Sequence, residues 1–182
     1  MKYINFTFPL IFLFAISSCS TTEHEKLVEL DKIPDYFNTI QADNSTTFSY
    51  PSEMLITENL KYESKFQFSD LINVQYVALQ EDNKEEGMDL KAFSIDKLEE
   101  LQQKMIEPSS NKLTAFELKK INGYETVFEA DTYGWSSKLV YWISVVELKC
   151  KFITAIAWTT IDRKEKFQKD AAFLVKSFRI KD

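Results

Sequence analysis

Leu139-Val140-Tyr141-Trp142-Ile143-Ser144-Val145-Val146 and, five residues on, Phe152-Ile153-Thr154-Ala155-Ile156-Ala157-Trp158 decide the fold. Both runs are rich in β-branched and aromatic residues, and both are apolar at consecutive rather than alternate positions. Such runs are strands buried on both faces. So short a connection joins antiparallel neighbours, because a parallel pair needs a crossover of a dozen residues or more. Taken as one segment, 139–158 has the length of a membrane span, but Glu147, Lys149 and Lys151 interrupt it at mid-length. Charges at that depth exclude a span. The pair is therefore the centre of a sheet that must be covered on both sides.

Before this pair, TFSYP (47–51), KFQFS (65–69), NVQYVAL (73–79) and MDLKAFSI (88–95) read as strands. A first helix is predicted over 97–106. Asp96 is its cap with Glu99 three residues on, Leu98, Leu101 and Met105 form its apolar stripe, and Pro108 lies past its end. LTAFELKKI (113–121) and YETVFEA (124–130) follow as strands, with Asn122-Gly123 between them as a tight hairpin turn. The last helix is predicted over 163–177. Asp162 caps it, and Phe167, Ala171, Leu174, Val175 and Phe178 recur at helical spacing. Strands, a helix, four strands and a helix give an α+β domain, an antiparallel sheet flanked by helices.

The amino terminus gives an address. Lys2 precedes an apolar run from Tyr3 to Ile16, too short to cross a hydrocarbon core but suited to a secretory signal. Its end, Ile16-Ser17-Ser18-Cys19, resembles the lipobox of bacterial lipoproteins. The resemblance implies cleavage before Cys19 and acylation of that cysteine. Each buried methylene of an acyl chain contributes about 0.8 kcal/mol, so several chains hold firmly. Ser20 rather than Asp follows, which by the same resemblance favours the outer membrane. The chain then divides into a signal peptide (1–18), a lipid-anchored tether (19–45) and a domain (46–182). Within the tether, Ile33, Tyr36, Phe37 and Ile40 are spaced as on a helix, with Pro34 suited to its first turn.

The 182 residues carry 28 acidic against 22 basic side chains, a net charge of −6. That balance repels phosphates and argues against nucleic-acid binding. A 45% hydrophobic content and 15 Phe suit a packed globule. With Cys19 acylated, Cys150 has no disulfide partner and reads as an inert or half-buried thiol.

The one histidine, His24, lies in the tether, so the domain has none. This removes Ser-His and Cys-His catalysis and His-ligated zinc. Gly134-Trp135-Ser136-Ser137 lacks the second glycine of a nucleophile elbow, and three glycines cannot build a phosphate-cradling loop. Glu81, Asp82, Glu85, Glu86 and Asp89 fail the calcium-loop pattern, so they read as a solvated hairpin tip. Glu129 and Asp131 offer two carboxylates beside Tyr133 and Trp135 as acid and base. Two apart on a strand they share a face, too near for most glycosidic geometry, and read by default as a surface pair. No catalytic residue, metal ligand or cofactor site is assigned. Tyr133 and Trp135, large aromatics in a Gly- and Ser-rich loop, are the candidate partner-binding residues.

Phe48-Ser49-Tyr50-Pro51, the helix from Asp96, the hairpin at Asn122-Gly123 and the strand pair 139–158 come in a telling order. They are closed by Phe173-Leu174-Val175-Lys176-Ser177-Phe178. Over residues 47–180 this order resembles the PsbP-like superfamily. The resemblance implies an α/β/α sandwich and mostly non-catalytic work, in assembly, in binding partner proteins or in chaperoning apolar segments. It carries no shared catalytic residues. The expected function is therefore a lipid-anchored accessory or interaction module of the bacterial envelope with a protein partner. An envelope ligand-binding protein or carboxylate-dependent hydrolase is one alternative, and a chaperone for apolar segments of secreted proteins is another.

Overall fold

The computed structural model describes residues 32–180, apart from 43, 45, 61, 62, 110, 119 and 120. Within them run β1 (Phe37–Gln41), β2 (Thr46–Pro51), β3 (Leu55–Ile56), β4 (Phe66–Asp70), β5 (Gln75–Asn83) and α1 (Leu90–Gln103). Then come β6 (Thr114–Leu118), β7 (Ile121–Ala130), β8 (Leu139–Leu148), β9 (Lys151–Thr160), α2 (Lys164–Leu174) and β10 (Arg179–Ile180). Cys19 and His24 lie outside the described residues.

β9 sits at the middle of a seven-stranded antiparallel sheet of order β3-β4-β5-β9-β8-β7-β6. It pairs with β8 from Leu148↔Lys151 to Leu139↔Thr160 and with β5 from Asn83↔Lys151 to Gln75↔Thr159. The two quoted runs are thus neighbours, antiparallel and buried on both faces, as their composition dictates. On one face Trp142, Val146 and Ile153 pack with Phe167, Ala171 and Leu174 of α2 and with Phe48 of a second sheet, β1-β2-β10. On the other, Tyr141, Ile143, Ile156 and Trp158 meet Leu101 of α1. The architecture is the expected α+β sandwich, with a small sheet added beside α2.

Local departures have physical causes. MDLKAFSI is not a strand: α1 begins at Leu90, capped by Asp89, whose Oδ1 accepts from Ala92 N–H at 3.0 Å, and not by Asp96. Ser94 bonds back to the Leu90 carbonyl inside that helix. Asn122-Gly123 is not a turn: both lie within β7, opposite Glu117 and Phe116. Gly123 is needed because the Phe116 ring covers it, and a Cβ there would meet Cζ at 2.3 Å. The register Leu118↔Ile121 puts the reversal three residues earlier, between those two. Residues 37–41 pair with β2 as a strand rather than coiling as a helix, and Phe37 stacks edge-on against Phe173 at 5.1 Å. α2 follows a 3₁₀ turn at Ile161–Arg163 and receives no side-chain cap, so Asp162 does not cap it.

Candidate functional site

α1 lies over β8 and β7, beside the β9 and β5 part of the same face. That part is the floor of a cleft of about 1060 Å³. Lys97, Glu100 and Lys104 of α1 form one wall, and Asn59, Leu60, Glu63 and Ser64 before β4 form the other.

Strand register builds the floor. Tyr76 of β5 is opposite Trp158 of β9, Trp158 opposite Tyr141 of β8, and Tyr141 opposite Phe128 of β7. Cross-strand pairs of large rings stabilise a sheet, and here they form a ladder, with centroids 5.5, 6.3 and 5.3 Å apart. Trp135 closes one end, standing edge-on to Tyr76 at 5.5 Å and 81°. Thr132 and Tyr141 share a hydroxyl–hydroxyl bond of 2.8 Å beneath that loop.

Deeper along the floor, Gln80 faces Thr154 in register. Gln80 Nε2 donates to the Glu63 carbonyl, but Gln80 Oε1 and Thr154 Oγ1 have no partner. Leaving such a buried group unpaired costs about 1–3 kcal/mol, and of the two residues Gln80 lines the cleft.

The rim is ionic and self-paired. A hydrogen bond from Lys104 holds the Glu100 carboxyl below its usual range, against burial and with help from Lys97. Lys65 does the same for Glu81, against burial and with help from Lys151. Burial, and then the charge of Asp70, pushes the Tyr76 phenol up. The floor therefore stays neutral and aromatic at physiological pH, and the arrangement can bind an apolar or amphipathic guest along its length.

The residues singled out from sequence divide. Trp135 lines the cleft and also folds back onto the sheet, while Tyr133 stands 80% exposed beside it. Glu129 is engaged by Lys164 at 2.8 Å, and neither it nor Asp131 lines the cleft. Glu81 and Asp82 are ion-paired on β5 rather than loose at a hairpin tip. Among the described residues no three His, Cys, Asp or Glu side chains gather into a metal-binding group, and no helix is long and apolar enough to cross a membrane. Cys150 is exposed in the β8–β9 turn rather than half-buried. The sequence reading missed Tyr76, Tyr141, Trp158 and Gln80, which come together only through register.

No family model matches the sequence, and no curated protein matches it. Solved structures do share its fold. Cyanobacterial PsbP (CyanoP) of Synechocystis sp. PCC 6803 aligns over 80% of this chain and 92% of its own, with a TM-score of 0.61 at 13% identity. LpqN of Mycobacterium tuberculosis, involved in cell envelope biogenesis, aligns over 80% and 91%, with a TM-score of 0.58 at 8% identity. The Ran-binding protein Mog1p of Saccharomyces cerevisiae aligns over 80% and 96%, with a TM-score of 0.53 at 9% identity. The chain has the PsbP-like fold that its sequence resembles.

Proposed function

We propose that this chain is a non-catalytic accessory module of the bacterial envelope, anchored by an acyl group on Cys19, that holds a segment of a partner protein in the cleft beside α1. The observation that carries this reading is the cleft of about 1060 Å³ beside α1, over β5 and β9. Its floor is the ladder of Tyr76, Trp158 and Tyr141, with Tyr76 half-buried and the other two rings buried at the base. Aromatic anchors in a preformed concavity are what interface hot spots are made of. Gln80, whose Oε1 has no partner, lines the same cleft. Two proteins of the same fold point the same way: LpqN is involved in cell envelope biogenesis, and Mog1p binds the protein Ran.

The pairing of Glu129 with Lys164, away from the cleft, supports the non-catalytic reading over a two-carboxylate hydrolase. An apolar floor open along one side also suits a chaperone of apolar segments, the second reading the cleft supports. The serine after Cys19 favours the outer membrane.

A photo-crosslinking residue placed at Tyr133 of the full-length chain, in native envelopes, should yield one discrete adduct. Trp135→Ala should abolish it, and the same probe at Val127, exposed on β7, should not give it. The same smear from both positions, or no adduct at either, would overturn the cleft as a binding site. An adduct peptide from apolar stretches of many secreted proteins would select the chaperone reading. Palmitate labelling that survives Cys19→Ala would remove the anchor without touching the cleft.

A further inference from the structure

Exposed large apolar side chains are unremarkable when scattered and informative when gathered. Here they gather. The register aligns Asp70 with Gln75, Thr160 with Leu139 and Leu139 with Ala130, so the β4–β5, β7–β8 and β9–α2 connections leave one end of the main sheet together. On those connections Leu71 is 74% exposed and Ile72 is 86% exposed, with Ile161 and Tyr133 beside them. Leu55, 72% exposed, starts β3 at the same end, opposite Ser69. The opposite end carries Lys84, Glu85, Glu86, Lys149 and the exposed Cys150.

The aliphatic tip is rigidly built. Asp70 Oδ1 accepts from the Ile72 and Asn73 amides at 3.0 Å each, and Oδ2 accepts from Asn73 Nδ2 at 2.6 Å. Val74 holds φ +56°, a left-handed conformation that is strained for a β-branched residue. It is kept there by Thr159 Oγ1, which donates to its carbonyl at 2.6 Å. Such strain persists only where its surroundings impose it, and it clusters at functional positions. Two cations collar the tip: Arg163 donates to the Ile72 carbonyl and Lys166 Nζ to Asn73 Oδ1 at 2.7 Å. Lys138 lies alongside, through its carbonyl bond to Ile161 N–H, and Asp162 is the neighbouring acid.

The amino-terminal segment joins the fold at this end. The Tyr36 carbonyl accepts from Ser52 N–H at 2.9 Å, three residues before Leu55. The chain that precedes Lys32 includes the apolar run Tyr3 to Ile16 and Cys19.

We propose that the Leu71-Ile72 tip, with Leu55 and Ile161, inserts into the surface of a lipid bilayer. It would orient the body so that the β8–β9 turn points away from the membrane. Aliphatics under a collar of Arg and Lys are the makeup of an interfacial anchor, and a second contact adds a fixed orientation to the attachment that the acyl chains supply. The proposal rests on the anchoring reading for proximity to the bilayer, but its contact is made by different residues.

The test uses the full-length Ile72→Cys chain with vesicles of phosphatidylethanolamine and phosphatidylglycerol. A membrane-impermeant maleimide modifies the protein, and the rate is resolved by peptide, with native Cys150 as the internal reference. Vesicles should slow modification at position 72 several-fold and leave Cys150 unchanged, and adding Leu71→Asp should restore the rate at 72. Equal rates with and without vesicles, protection insensitive to Leu71→Asp, or protection only when envelope proteins are present would overturn the proposal, the last assigning the tip to a protein partner. Retention of the chain on the vesicles and palmitate content, measured on the same sample, report the anchor separately. An unacylated chain protected at 72 sinks the anchor alone, and an acylated chain reactive at 72 sinks the tip alone.

Discussion

Asp70 shows how one carboxylate can set a local conformation. Burial raises its pKa, but the side-chain and backbone hydrogen bonds from Asn73, the Ile72 amide and the charge of Lys166 outweigh this and hold it below the usual carboxylate value. A depressed folded-state pKa means stabilisation that is complete above the unfolded value of about 4 and lost as pH falls through the folded one. Asp70→Asn should therefore destabilise the protein by about 1–2 kcal/mol at pH 7, because bonds to a charged acceptor exceed those to a neutral one. The gap between wild type and variant in urea unfolding should close below about pH 4. A gap that stays constant with pH would show that the carboxylate charge does not hold the tip. At this scale the sequence was only partly legible. Trp135 and Tyr133 announced themselves as aromatics in a Gly-Ser loop. Leu71 and Ile72 sit in an ordinary Ser-Asp-x-x-Asn turn, and only their exposure in the fold gives them meaning. Gly123 looked like a turn residue because Asn-Gly so often is one; its real constraint is the Phe116 ring across the strand pair.

The elements were most legible where pattern and length agreed. β8 and β9, ten residues each, run one residue or more beyond their quoted cores. The errors fell on short or ambiguous runs. Met88, Leu90 and Ala92 alternate as in a strand, yet Leu90, Phe93, Leu98 and Leu101 fit a helix that begins about two turns earlier than its strongest stripe. Tyr36, Phe37 and Ile40 fit one helical turn, but pairing with β2 supplies partners for the backbone that an isolated turn lacks. These two starts for α1 can be separated. Asp89→Ala should cost about 1 kcal/mol, the usual loss of an N-cap. Asp96→Ala, at an exposed mid-helix position, should change stability by less than about 0.5 kcal/mol. Equal losses in chemical denaturation, or a larger one at Asp96, would move the start of the helix back to the sequence-based position.

At the scale of the whole molecule, two apolar layers are separated by one sheet, and the cleft exists because the α1 layer is narrower than the sheet it covers. The composition of two strands foretold the sandwich. The cleft was hidden, because its floor is drawn from β5, β9 and β8 and depends on a register that no single segment reveals. If the sheet couples the layers into one cooperative unit, mutations on opposite faces should add in free energy yet melt together. Ile143, on the α1 face, and Ile121, on the α2 face, are 3% and 2% exposed and share no cluster. Each Ile→Val change should cost about 1 kcal/mol. The double variant should lose about 2 kcal/mol, additive to within about 0.5 kcal/mol as expected for sites without shared partners. Near-ultraviolet circular dichroism and far-ultraviolet signals should follow a single coincident transition. Two transitions, or a coupling above about 1 kcal/mol, would mean that the half-covered α1 layer opens on its own. The cleft would then be a product of a loosely held helix rather than a preformed site.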